Sequence, residues 1–177
     1  RVAPDEHGTC VSHFGHQQVG VLTHQLHVFG CDGVDGNDRT VTVVESGNGP
    51  YAQYVTAGRH VFGADEPESL GGKDTGPDPY ELLLSGLGAC TAMTIRMYAA
   101  RKKMPLTRVE VRLRHLQRAS PGQDVKDKFE RVIVLVSDEL TSEQRQSLLQ
   151  IAERCPVSKT LGQSSEIVSE LATAAPT

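Results

Sequence analysis

The sequence predicts an α+β fold in which short antiparallel strands accompany a long apolar helix. Between residues 40 and 62, short runs of β-branched residues alternate with turns rich in Gly, Asn and Pro. From residue 79, apolar residues recur at three- and four-residue steps. Two further alternating strands and a helix with a capping-box pattern follow after residue 108. These three observations give the fold class.

Composition limits the size of the protein and the classes of partner. The chain has 177 residues and a mass of 19.2 kDa, which favours one hydrophobic core. Its formal net charge is −4, so it has no global positive field for DNA or an anionic membrane. Aromatic residues make up only 5% of the chain and Trp is absent, which removes the stacking surfaces of single-strand binders. We therefore expect no nucleic-acid partner.

Hydropathy and cysteine content indicate a cytoplasmic protein. No stretch approaches the roughly 20 consecutive apolar residues of a membrane helix, and the beginning of the sequence lacks a signal-peptide pattern. The four cysteines, at widely spaced positions, do not form the framework of a secreted disulfide scaffold. We expect no membrane partner, and we expect the cysteines to serve chemistry.

Residues 1–37 differ from the rest in composition. They contain five of the seven histidines together with Cys10 and Cys31, but they have little apolar periodicity. Their spacings match no established zinc pattern, so a flexible or strand-forming leader is the expectation, with a metal-binding segment as the alternative. The predicted organisation is this leader, one domain over residues 38–172 and a tail over residues 173–177.

The domain begins with strands and a loop. The β-branched runs predict strands at Thr40–Val44, Tyr51–Thr56 and Arg59–Phe62. The Gly- and Pro-rich segment Asp65–Pro79 predicts a loop.

A long helix is predicted to follow this loop. Asp78 is expected to be its N-cap and Pro79 its first residue, and the periodic pattern continues to about Lys103. Its apolar residues cover most of the circumference, which indicates burial on more than one side.

The second half repeats strands and then helices. Alternation predicts strands at Arg108–Gln117 and Phe129–Val136. A capping box opens a helix at Thr141–Arg154. Cys155 is expected to cap a short helix through Leu161, because it precedes Pro156, and a final strand is predicted at Glu166–Leu171.

Two cysteines stand out by their positions. Cys90 lies within the most apolar helix, where a thiol ordinarily acts as a small hydrophobic group. Cys155 begins a helix, where exposed N–H groups and the helix dipole favour the nucleophilic thiolate. They are separated by 64 residues, so only the fold brings their sulfurs together.

Two distant motifs resemble those of the OsmC/Ohr family. The first is Gly76–Leu84 followed by Gly88–Thr94, and the second is Ile151–Leu161. The upstream segment His60–Pro67 and the pair Gly71-Gly72 are similar to the OsmC-like branch of that family. The resemblance extends from about residue 40 to residue 171.

The resemblance implies a fold and an activity. The fold is an intertwined homodimer in which strongly bent antiparallel sheets wrap long central helices. The activity is that of a thiol peroxidase acting on organic hydroperoxides in the oxidative-stress response, without a cofactor or metal. Cys90 would be the peroxidatic cysteine and Cys155 the resolving one, and a dithiol such as lipoamide or a thioredoxin-like protein would reduce their disulfide.

The resemblance also assigns supporting residues. Glu81 matches the glutamate that holds an activating arginine in peroxidatic members. The turn where that arginine usually lies, Gly47–Pro50, contains none, so Arg59 is the candidate cation. His60, Leu87 and Met93 are the expected substrate-binding residues. A redox sensor or small-molecule-binding protein with little turnover is the alternative function.

Overall fold

The computed structural model describes residues 40–119, 126–163 and 165–171. These residues belong to one compact unit that spans Arg39–Thr177. They have the α+β architecture that the sequence predicts, with two antiparallel sheets and three α-helices. The predicted leader, residues 1–37, and the predicted tail, residues 173–177, lie outside the described residues.

The first sheet is a three-stranded antiparallel meander. Its strands are β1 (Val41–Glu45), β2 (Gln53–Ala57) and β3 (His60–Ala64), in that order across the sheet. A row of apolar residues, Val43, Val55 and Phe62, crosses it in register. Val55 is buried, whereas Val43 and Phe62 are 56% and 41% exposed. One face of this sheet therefore keeps apolar side chains in solvent.

The loop after β3 is held by a buried carboxylate. Asp65 accepts hydrogen bonds from the N–H groups of Glu66, Lys73 and Thr75 and from the Thr75 hydroxyl, at 2.9–3.3 Å. A single 3₁₀ turn, Glu68–Leu70, lies inside this loop. The carboxylate replaces the backbone partners that the loop lacks, and it fixes the entry into the next helix.

Helix α1 spans Pro79–Arg101 and begins as the sequence predicts. Asp78 accepts a hydrogen bond from the Glu81 N–H, and the Glu81 carboxylate accepts one from the Asp78 N–H, so a full capping box stands before Pro79. By length and composition alone, α1 is long and apolar enough to cross a membrane, which the sequence reasoning did not predict. Core helices of soluble proteins meet the same criterion, and α1 packs on the second sheet and on both later helices.

The remaining elements follow the predicted order. Strands β4 (Arg108–Gln117) and β5 (Lys128–Val136) form an antiparallel pair. Helix α2 (Ser142–Ala152) has a capping box at Thr141, and the short helix α3 (Pro156–Leu161) has Cys155 as its N-cap residue. The main core lies between α1, α2 and the second sheet. It consists of Ile95, Ala99, Leu106, Leu140, Leu148 and Ala152.

The predicted final strand is wrong for the described chain. Residues Glu166–Leu171 form no regular secondary structure, and Ile167, Val168 and Leu171 are 84–98% exposed. The β-branched composition of this segment suggested a strand. A strand needs hydrogen-bonding partners from a neighbour, and the two sheets of the described chain do not supply them.

Candidate active site at the Cys90–Cys155 pair

The fold brings the two predicted cysteines together. Cys90 lies in the middle of α1, and Cys155 lies at the start of α3, which packs on α1. Both are free thiols. Cys155 is fully buried, whereas Cys90 is partly exposed. The pair thus combines one thiol that small molecules can reach with one that is shielded from solvent.

The surroundings of Cys155 favour its ionised form. Burial raises the pKa of this thiol, but hydrogen bonding from the Cys90 side chain, the Ser158 N–H, the Thr91 hydroxyl and the Val157 N–H outweighs burial. The net result is a pKa below the ordinary value of 9.0. The sulfur makes no capping hydrogen bond of ordinary geometry to α3. The position of the cysteine, at the helix start and against Cys90, nevertheless favours a thiolate, as the sequence predicts.

A largely shielded arginine contacts the residue next to Cys90, and the sequence did not predict it. Arg131, on β5, donates to the Thr91 hydroxyl oxygen at 3.0 Å and to the Ala152 carbonyl at 3.4 Å. It also forms an ion pair with Glu153 at 2.8 Å, and its side chain is only 12% exposed. Thr91 is fully buried. The guanidinium of Arg131 therefore bonds to the residue that directly follows Cys90 on α1.

A sequence signal for Arg131 existed. In β5, Phe129, Arg131, Ile133 and Leu135 share one face because side chains alternate along a strand. Ile133 and Leu135 pack against the main core. An arginine at an inward position of an apolar strand needs buried partners, which is typical of a structural or functional role.

A cavity lies next to residues that surround Cys155, although neither cysteine is among its walls. Its volume is about 950 Å³, and its walls mix apolar side chains with two cations and two carboxylates. They include Tyr80, Leu83, Leu87, Phe129, Leu161, Lys126, Arg131, Asp127, Glu153 and Ser158. Leu87, predicted as a substrate-binding residue, is thus in the wall of this cavity. Arg131 and Ser158 link the cavity to the surroundings of Cys155.

Glu81 lies on the other side of α1. It precedes Cys90 by nine residues, which is half a turn around a helix and about 13 Å along its axis. Its carboxylate takes part in the capping box, and it lines a second cavity of about 750 Å³ with Leu84, Gly88 and Leu113 among the walls. Within one chain, Glu81 and Cys90 therefore face different surfaces.

The other predicted site residues are not brought to the pair in the described chain. Arg59 and His60 lie at the turn between β2 and β3 and are exposed. In the described ranges, neither side chain forms a hydrogen bond or ion pair with another side chain. Met93 is on α1 but is 63% exposed. The roles assigned to these residues stay predictions.

The described residues contain no cluster of three or more His, Cys, Asp or Glu side chains that could hold a metal ion. The alternative of a metal-binding leader concerns residues 1–37, which lie outside the described residues.

Comparison with known proteins identifies the family. The sequence model of the family described as "OsmC-like protein" matches residues 72–170, more than half of the chain. The chain belongs to the OsmC-like protein family. The match includes both cysteines, Glu81 and Arg131. No curated protein matches the chain at a significant level.

Solved structures have the fold of this OsmC-like chain. A Psychrobacter arcticus protein, described as an osmotic stress induced and detoxification response protein, is 19% identical, with a TM-score of 0.58 over 68% of this chain and 86% of its own. The OsmC-like protein of Mycoplasma pneumoniae is 18% identical, with a TM-score of 0.58 over 72% and 89%. An organic hydroperoxide resistance protein of Legionella pneumophila is 24% identical, with a TM-score of 0.52 over 69% and 87%. At these identities the likeness is one of fold.

Proposed function

We propose that this OsmC-like chain is a cysteine-based hydroperoxide reductase that acts on organic hydroperoxides in oxidative-stress defence. The observation that carries the proposal is the contact between a partly exposed Cys90 and a buried Cys155 that favours the thiolate. The Legionella pneumophila relative is described as an organic hydroperoxide resistance protein, which agrees with the proposal.

The pair supplies both a nucleophile and a place for its proton. The Cys155 thiolate accepts the proton of Cys90, and the partly exposed Cys90 becomes the attacking thiolate. Cys90 attacks the outer peroxide oxygen, the O–O bond breaks, and Cys90 becomes a sulfenic acid. The alkoxide leaves and takes the proton from Cys155, which gives an alcohol.

The second step uses the same two sulfurs. The Cys155 thiolate attacks the sulfenic sulfur, the S–O bond breaks, and hydroxide leaves as the disulfide forms. A dithiol such as lipoamide or a thioredoxin-like protein then reduces the disulfide by exchange and becomes oxidised in turn. The proposal includes cytoplasmic action, because the cycle needs a reducing compartment.

The cavity favours an organic substrate over hydrogen peroxide. The walls that include Leu83, Leu87 and Phe129 offer apolar contact to a hydrocarbon substituent, which hydrogen peroxide lacks. Burial of such a substituent strengthens binding in rough proportion to the apolar area removed from water.

A homodimer is part of the proposal, since the chain leaves apolar surface uncovered. On one face of the first sheet, Val41, Val43 and Phe62 are 41–56% exposed, and on α1 Met93 and Met97 are 63% and 72% exposed. A second copy that covers these surfaces would also add residues to each site. Arg59, His60 and Glu81 would then act on the cysteine pair of the partner subunit.

A second function is favoured by one observation. Arg59, the expected cation, makes no contact with Cys90 in the described chain. A protein with the thiol pair and the cavity, but with a slow first step, is a redox sensor or a small-molecule-binding protein.

Consumption of cumene hydroperoxide and of hydrogen peroxide by the reduced protein with a dithiol separates the two functions. The reductase requires many turnovers with the organic peroxide, loss of turnover in Cys90→Ser, and overoxidation of Cys90 in Cys155→Ser. Turnover that does not exceed the Cys90→Ser background overturns the reductase and leaves the sensor or binding function.

A further inference from the structure

Arg131 joins the two chain segments that carry the cysteines. Its Nη1 donates to Thr91, the residue after Cys90 on α1, and to the carbonyl of Ala152, at the end of α2. Its Nη2 donates to Glu153, which lies two residues before Cys155. One guanidinium thus fixes the spacing between α1 and the α2–α3 junction.

The direction of each hydrogen bond in this network is determined by chemistry. A guanidinium has five N–H donors and no acceptor, so the Thr91 oxygen must be the acceptor from Arg131. The Thr91 hydroxyl hydrogen is then available to donate, and hydrogen bonding from this hydroxyl reaches Cys155. A thiolate accepts a stronger hydrogen bond than a neutral thiol does. The bond from Thr91 therefore stabilises the ionised Cys155 sulfur more than the neutral one.

We propose that Arg131 is a positioning residue that acts on Cys155 through Thr91. It holds the two cysteines together and orients the Thr91 hydroxyl toward the Cys155 sulfur. Arg131 reaches the residues next to both cysteines from β5, whereas Arg59 lies on the exposed turn of the first sheet. The proposal deepens the proposed function and rests on it for the catalytic meaning of the thiolate. Its test uses no peroxide.

The test is site-resolved alkylation of the reduced full chain as a function of pH. Iodoacetamide labelling is followed by tryptic peptide mass spectrometry, which separates Cys155 from Cys90 and from Cys10 and Cys31, since Arg154 and Lys159 flank the Cys155 peptide. In Thr91→Val, which removes the hydroxyl and keeps the shape, the midpoint for Cys155 should rise by about one pH unit. Thr91→Ser, which keeps the hydroxyl, should restore the wild-type midpoint.

Arg131→Met should raise the midpoint in the same direction. At a pH below both midpoints, the thiolate fraction falls about tenfold for a one-unit shift, but a more basic thiolate is about threefold more nucleophilic, so the rate falls about threefold. The midpoint is therefore the decisive readout rather than the rate.

Arg145→Met is the matched control. Arg145 donates to the carbonyls of Leu135 and Ser137 and ties α2 to the end of β5, but it has no link to either cysteine in the described chain. Its loss should lower the melting temperature without moving the Cys155 midpoint. An unchanged midpoint in either Thr91→Val or Arg131→Met overturns the proposal, as does an equal shift in Arg145→Met. A protein that passes this test but consumes no peroxide contradicts the proposed function and leaves the positioning role of Arg131 intact.

Discussion

Cys155 accepts a hydrogen bond from Cys90, which lies on a different helix and is separated from it by 64 intervening residues. The contact depends on the packing of α3 against α1 and on the tie that Arg131 makes to Thr91 and Ala152. Two thiols in contact can close a disulfide once Cys90 has been oxidised.

The first prediction follows from this contact. One equivalent of cumene hydroperoxide should convert the reduced protein to a disulfide that joins Cys90 and Cys155 within the chain. Non-reducing tryptic mass spectrometry measures the cross-linked peptides, and a thiol count should fall by about two per chain. Cys10 and Cys31 share one tryptic peptide, residues 2–39, which provides an internal control because both of its thiols should stay free. A cross-link between two chains in place of the internal one contradicts the prediction.

The second prediction concerns pH. Because hydrogen bonding outweighs burial, the pKa of Cys155 lies below 9.0. The rate of the first oxidation should therefore increase with pH and reach its plateau before pH 9, as the pair loses its first proton. Stopped-flow measurement of single-turnover oxidation tests it.

Cys155→Ser is the control for the pH profile. A serine hydroxyl stays neutral and cannot accept the proton of Cys90 as a thiolate does, so the increase in rate should move to higher pH. A profile that is the same in the variant and in the wild type would exclude Cys155 as the proton acceptor.

Local sequence signals predicted most of the fold because they act over a few residues. The capping boxes at Asp78 and Thr141 and the Cys155-Pro156 step each specify a helix start through backbone hydrogen bonds and a fixed φ. The prediction at Glu166–Leu171 was wrong because pairing is not a local property. A segment with strand composition stays irregular when no neighbour pairs with it.

The candidate site was predicted only in part for a similar reason. The motifs identified Cys90 and Cys155, but spacing along the chain contains no information about which cation approaches them. Arg131 is largely shielded from solvent and bonds to Thr91 on α1 and to Ala152 on α2, and these are tertiary contacts. Its inward position in an apolar strand was visible in the sequence, while its partners Thr91 and Ala152 were not.

The third prediction concerns the carboxylate of Asp65. Burial raises the pKa of this group, but hydrogen bonds from Thr75, Lys73 and Glu66 together lower the pKa by more. The pKa of Asp65 therefore lies below the ordinary value of 3.8. Such a carboxylate stabilises the fold at pH values above 3.8, and this contribution is lost as pH falls through the lower folded value. Asp65→Asn should reduce the melting temperature by several degrees at pH 7, because the amide places N–H groups against N–H donors.

The dependence of the melting temperature on acid pH separates the loss of the Asp65 charge from a general destabilisation of the fold. The difference in melting temperature between wild type and Asp65→Asn should shrink as pH falls toward 3. Calorimetry across pH 3–7 measures it, and a difference that stays constant over this range would contradict the role of the charge.

The fourth prediction concerns Gly72 in the same loop. A Cβ at this position would lie 1.8 Å from the Glu66 carbonyl oxygen, which is backbone and cannot rotate away. Gly72→Ala should therefore disrupt the loop that is hydrogen-bonded to the Asp65 carboxylate and lower the melting temperature. Gly47→Ala and Gly58→Ala would be strained by their positive φ instead, so Gly49→Ala is the better control, because its Cβ would meet only the flexible Lys73 side chain. Equal melting temperatures for the Gly72 and Gly49 variants would show that the close approach is not rigid.

The last prediction tests the proposed homodimer at the first sheet. Val43 and Phe62 are exposed on one face in the single chain, so a charge there costs little if that face is in water. If a second copy covers the face, Val43→Asp with Phe62→Asp buries two unpaired carboxylates, and association should weaken by at least tenfold. Sedimentation velocity over a concentration series measures the mass.

The matched control is Thr42→Asp with Thr56→Asp, which adds the same charge to the opposite face of the same sheet. The proposal fails if the wild-type chain sediments as a monomer, or if the Val43 and Phe62 double variant stays as dimeric as its control. Either result excludes the first sheet from a dimer interface. Arg59 and His60 would then have no proposed way to reach the cysteine pair of a partner subunit.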